Sequence, residues 1–108
     1  MERRLFLLQR LTALVLGPLI LVHLGLVLVA IRGGLTAGEI LARTQGSVGW
    51  ALFYGAFVVA VAIHAPIGVR NVLREWTGLA GRAVDITALG FAVLLLALGL
   101  RAVWAVVG

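Results

Sequence analysis

Ile63-His64-Ala65-Pro66-Ile67-Gly68-Val69-Arg70-Asn71-Val72-Leu73-Arg74-Glu75-Trp76 decides how this chain is read. A histidine stands at the end of a long apolar run, and the sequence then switches abruptly to arginine, acid and tryptophan. Working back from that switch, Val48 to Val69 is 22 residues without a formal charge. At 1.5 Å per residue such a helix crosses the roughly 30 Å of a bilayer's hydrocarbon. An ionisable side chain held at that depth is costly, which makes His64 a functional candidate.

Two further runs lie outward from this one. Leu11 to Ile31 is 21 residues without a charge and holds 14 Leu, Ile or Val residues, enough to outweigh His23 and Pro18 in the transfer balance. Gly17-Pro18 is placed to kink it, because proline cannot donate to the carbonyl four residues back. Ile86 to about Val107 is the third run, with Arg101 near its far end, where it can reach the headgroups. Met1 to Arg10, with three arginines, is read as lying in the interface before the first span.

The 108 residues suffice for one domain, 1–108, in which 63% are apolar and 12% charged. A soluble domain this small cannot hide so much apolar surface, so lipid is the solvent. There is no cysteine, which excludes disulfides, iron–sulfur ligation and thiolate zinc sites from this chain. The first run lacks a small-residue cleavage signal and reads as a retained span. All nine basic residues are arginine and the net charge is +5. They cluster at the ends of apolar runs, which points to membrane anchoring and not to nucleic acid. Arg3, Arg4, Arg10, Arg70, Arg74 and Arg82 fall on one side and Arg32, Arg43 and Arg101 on the other. Six against three predicts a cytoplasmic N-terminus and an outside C-terminus. In the first connection, Thr36-Ala37-Gly38-Glu39 has capping-box spacing, with Gly46 as terminator, and predicts a two-turn helix on the membrane surface. The expected architecture is thus an all-α membrane protein of three transmembrane helices, with a short interfacial helix in the first loop.

Few residues carry chemistry. Imidazole is the common side-chain ligand of metals and haem iron, and Ala60 and Gly68, one turn either side of His64, leave room for a flat macrocycle or for another helix. The residues alone allow His64 to be either a haem ligand or a hydrogen-bonding partner for a neighbouring helix. His23 lies about 18 Å below the cytoplasmic edge and His64 about 7–8 Å. Axial ligands of one iron must sit at one depth, so an intrachain pair is rejected, and His23 is read as a helix–helix hydrogen-bonder. Arg10, Arg70 and Arg74 suit anionic propionates as well as plain anchoring. Trp76 offers an indole donor and Glu75 a proton-handling group, at a level where tryptophan also serves the aromatic belt. Trp50, Tyr54 and Trp104 read as belt residues. No phosphate loop or nucleophile–base pair is present, and no catalysis is expected of the chain alone.

His64-Ala-x-Ile-Gly, continued to Val72-Leu73-x-Glu75-Trp76, resembles the haem-bearing helix of the small membrane anchor subunits of succinate dehydrogenase (succinate:quinone oxidoreductase, complex II). Arg10-Leu-Thr-Ala-Leu-Val-Leu looks like that family's opening of the first helix, and Gly34-Leu-Thr36-x-x-Glu39 its first connection; the likeness is closest to the D-type cytochrome b556 anchor. The resemblance implies a haem b shared with a second anchor subunit, with His64 as axial ligand of the iron. It implies Arg10 near the haem propionates and the quinone site; Arg70, Arg74 and Gly68 are candidates for the haem or quinone edge from their positions beside His64. It also implies flavoprotein and iron–sulfur partners, ubiquinone or menaquinone as electron acceptor, and a bacterial inner membrane. Where the family has Asp-Tyr, this chain has Glu75-Trp76, so the tyrosine donor to quinone is missing. A haem-free structural anchor is a further possibility. A small transporter is the other, but none of the three spans carries a carboxylate.

Overall fold

A computed structural model describes residues 3–78 and 81–108. Met1, Glu2, Leu79 and Ala80 lie outside that range, and with them parts of the expected N-terminal interfacial segment and second connection. Four helices follow in order, α1 (Arg3–Gly33), α2 (Ala37–Thr44), α3 (Val48–Trp76) and α4 (Arg82–Val107), with no strand among the described residues. Three of them, α1, α3 and α4, are long and apolar enough to cross a membrane. The chain is an all-α, three-span membrane protein.

The helices overrun the apolar runs at several ends. α1 begins at Arg3 and runs as one helix through Arg10, and no separate segment precedes it among the described residues. Hydropathy changes at Leu11, but Arg, Leu, Phe and Gln are all acceptable helix residues, and nothing from 3 to 10 breaks the helix. α1 continues through Pro18, and α3 through Pro66. α3 extends past the hydrocarbon to Trp76, and Gly78 then takes a left-handed φ of 69° that stops it. At 31 residues α1 is about 46 Å long, and the molecule is 47 Å along its main axis.

α3 is the middle helix, with α1 on one side and α4 packed more extensively on the other. The buried apolar residues are few and mostly small: Leu16, Ala60, Ala62, Ile67, Val84 and Ala88. Between spans in lipid, association rests on close van der Waals fit, and small residues permit it. Gly99 shows how close the approach is, since a Cβ there would stand 2.5 Å from Val58 Cγ1. At one end of this pair the Arg70 Nε donates to Asp85 Oδ1 at 2.7 Å.

The first connection closes the other end. Thr36 Oγ1 accepts from the Glu39 N–H at 3.2 Å and donates to the Glu39 carboxylate at 2.6 Å, which caps α2 as its spacing predicted. Gly34 adopts a φ of 114°, a backbone conformation that L side chains rarely take, beside the Glu39 carboxylate. Arg43 donates to the Gly34 carbonyl at 2.8 Å, just past α1. Thr44, buried, donates its hydroxyl to the Val106 carbonyl at 2.6 Å, and the Gly46 N–H donates to Val107 at 2.8 Å. Carbonyls in the last turn of α4, which lack helical donors, thus receive them from the loop.

Candidate functional site

The candidate site forms where α1 crosses α3. Thr12, 7% exposed, faces His64 with Oγ1 3.1 Å from the imidazole Nδ1. The same hydroxyl lies 2.7 Å from the Leu8 carbonyl and 3.1 Å from that of Gln9, both on its own helix. Beside this contact Gln9, Arg10, Ala13, Leu14 and His64 line a cleft of about 400 Å³. Ala13 and Leu14 give it apolar lining, and Gln9, Arg10 and His64 give it polar groups. Arg10 is exposed, with its guanidinium carbon 5.6 Å from the centre of the Phe6 ring, a cation–π contact. Gln9 lies against Gly68 of α3, where a Cβ would stand in ordinary contact with Gln9 Nε2 at 3.5 Å. Gln9 Oε1 is buried and accepts no hydrogen bond among the described residues.

Helical geometry sorts the remaining candidates. At about 100° per residue Gly68, Asn71 and Glu75 fall within about 40° of His64, whereas Arg74 is about 80° away and Arg70 and Trp76 about 120° to either side. Arg70 accordingly sits against α4, 9% exposed and paired with Asp85. Arg74 and Glu75 are exposed, and Trp76 is 82% exposed, so any ligand they meet lies largely outside this chain. The structure therefore brings together His64, Arg10 and Gly68 of the sequence candidates. It adds Thr12, Gln9, Ala13 and Leu14, which the sequence reading passed over. Thr12 had a signal: it is the one hydroxyl in an otherwise apolar span.

His23 departs from expectation. Its ring meets Phe57 and Tyr54 edge-on, with centroids 5.5 and 6.1 Å apart, and its buried Nδ1 has no hydrogen-bond partner among the described residues. At that level α3 presents the rings of Tyr54 and Phe57 to it. Trp50 stacks on Tyr54 at 5.6 Å, with Phe53 edge-on to both, so the expected belt residues Trp50 and Tyr54 belong to one aromatic ladder with His23. Trp104 is exposed on α4. Thr12, level with His64, precedes His23 by 11 residues, about 16 Å along α1. The two imidazoles thus occupy different depths of the α1–α3 contact.

Among the described residues no three His, Cys, Asp or Glu side chains converge to hold a bare metal ion. A lone imidazole beside an apolar cleft instead suits a group that brings its own equatorial ligands and needs one axial nitrogen from each side.

Fold and site together define a small multi-pass membrane subunit with a histidine-bearing cleft between its first two spans. Residues 3–105 match the family described as succinate dehydrogenase/fumarate reductase transmembrane subunit, and the chain belongs to that family. No curated protein and no solved structure matches the chain.

Proposed function

We propose that the chain is the electron-transfer anchor of a succinate dehydrogenase, sharing a haem b with a second membrane anchor subunit. His64 supplies one axial ligand and the partner anchor the other. The observation that supports this reading is the cleft that His64 and Arg10 line together with Ala13 and Leu14. Ala13 and Leu14 would give a bound haem an apolar contact, and Arg10 would hold a propionate. The chemistry a bound haem supplies there is one-electron storage between the iron–sulfur subunit and quinone. The end bearing Arg3, Arg4, Arg10, Arg74 and Arg82 faces the cytoplasm, where flavoprotein and iron–sulfur subunits dock. Glu75 and Trp76 project from that end toward a ubiquinone or menaquinone pocket completed by the partner chains, in the bacterial inner membrane.

One observation favours a second reading. The Thr12–His64 hydrogen bond gives the imidazole a structural job without any haem, which suits a haem-free anchor of a fumarate reductase-like complex. Pigment decides between them. The purified complex is expected to show a reduced-minus-oxidised b-type spectrum that is lost in His64→Ala while the subunits still copurify. An unchanged spectrum in that variant removes His64 as ligand, and a colourless wild-type complex establishes the haem-free reading.

A further inference from the structure

We infer that Thr12 is the positioning residue of the haem ligand: its hydroxyl fixes the His64 ring with the proton on Nδ1 and the lone pair on Nε2. This rests on the reading of His64 as an axial ligand and adds to it a residue that touches neither haem nor substrate.

The inference comes from counting one proton. A threonine hydroxyl has a single hydrogen to donate and lone pairs with which to accept. Thr12 Oγ1 has three neighbours within reach: the Leu8 carbonyl at 2.7 Å, the Gln9 carbonyl at 3.1 Å and His64 Nδ1 at 3.1 Å. Both carbonyls can only accept, so they and a bare Nδ1 would compete for the same proton. The shortest contact takes it: Thr12 donates to Leu8, the back-bond that hydroxyls in helices habitually make. The hydroxyl oxygen is then left as an acceptor facing Nδ1, and the ring satisfies it by donating from Nδ1–H. Neutral imidazole has one N–H, so Nε2 carries the free pair. Burial sharpens the choice, because Thr12 is 7% exposed and water has little access to rescue a mismatched pair.

The consequence for ligation is direct. Ligating histidines usually donate their other ring N–H to a fixed acceptor, which sets the ring's orientation and tautomer and raises the basicity of the ligating nitrogen. Here that acceptor sits on α1 and the ligand on α3, so the ring is held at the helix crossing itself. The acceptor is a hydroxyl whose own proton is committed to a backbone carbonyl, which leaves it no second way to face the ring.

The test uses the full chain in detergent micelles, labelled with ¹⁵N at histidine only; there are two histidines, and His64→Ala assigns the spectrum by subtraction. Wild type and Thr12→Ser are expected to show His64 protonated at Nδ1. Thr12→Val, which keeps the shape and removes the acceptor, is expected to shift the ring toward the Nε2–H form. A wild-type ring protonated at Nε2, or the same tautomer in wild type and Thr12→Val, overturns the inference whether or not haem is present. In the assembled complex, Thr12→Val is expected to weaken haem retention by about 10–100-fold and Thr12→Ser to restore it. Equal retention in Thr12→Val also overturns it. A wild-type complex without haem refutes the ligand reading instead, and the ¹⁵N spectra still decide the direction of the hydrogen bond.

Discussion

Replacing Gly99 with alanine tests whether α3 and α4 are packed as closely as the structure has them. Alanine in a helix interior is worth about 0.8–1 kcal/mol over glycine, so propensity alone predicts stabilisation. The new Cβ, however, would stand 2.5 Å from Val58 Cγ1, 3.0 Å from Cγ2 and 3.3 Å from Cβ. Carbon atoms pack at about 3.5–4.0 Å, so the worst contact is short by about 1 Å. Rotation gives no relief, because valine in a helix has one strongly preferred rotamer and both its methyls are involved. The helices must separate, and overpacking of this kind costs about 1–3 kcal/mol. Set against propensity, Gly99→Ala is expected to destabilise by about 1 kcal/mol, within a range of about 0–2. Val58→Ala removes both methyls, and in that background Gly99→Ala is expected to stabilise. Equilibrium unfolding in mixed micelles of the two single variants and the double variant gives the coupling directly. A coupling of about 1–3 kcal/mol is expected. If Gly99→Ala stabilises equally in both backgrounds, α3 and α4 do not approach as described.

The loop that closes the other end of the molecule yields two predictions. Thr44→Val leaves the Val106 carbonyl without its 2.6 Å donor and is expected to cost about 1–3 kcal/mol, with faster amide exchange in the last turn of α4. Gly34→Ala forces a side chain into a φ of 114° against the Glu39 carboxylate. It is expected to cost at least about 1 kcal/mol and to fray α2, read as lost protection at Glu39 and Ile40. Asp85→Asn removes a charge partner of Arg70, but Asp85 is 59% exposed. The loss is therefore expected to be at most about 1 kcal/mol and to shrink with added salt in the unfolding assay.

The architecture was legible because lipid enforces it. Three apolar runs of bilayer length admit helices and little else, and the Thr36–Glu39 spacing encodes a cap that needs no tertiary partner. Helix ends were less legible, as α1 shows: hydropathy reports where lipid stops, while the backbone stops only at a residue such as Gly78 that leaves the helical region. Pairing across helices could not be read at all. Arg70 stands one turn before Arg74 and looks equivalent to it, yet a turn of about 120° from His64 sends it to Asp85 on α4. His23 met rings where a polar partner was expected, because the sequence does not reveal which face of α3 lies opposite it. Thr12 was visible as a hydroxyl in an apolar run, but only the crossing of α1 over α3 gives that hydroxyl an imidazole.

The two sides of α3 are built for different ends. Toward α4 the contact is tight and locked: Ala62 and Ala88 are buried, Gly99 admits Val58, and Arg70 meets Asp85. Toward α1 it is sparser, with a buried threonine facing the His64 imidazole, an open cleft beside them, and His23 against aromatic rings at another depth. A ligand is held to useful tolerance only when the element carrying it is itself immobile. The α3–α4 pair supplies that rigidity, and this is what lets the opposite face stay open without losing the position of His64. If the chain shares a haem as proposed, the second anchor would cover the α1–α3 cleft, the side where Gln9 Oε1 is buried without a donor among the described residues and where Ala13 and Leu14 line the opening.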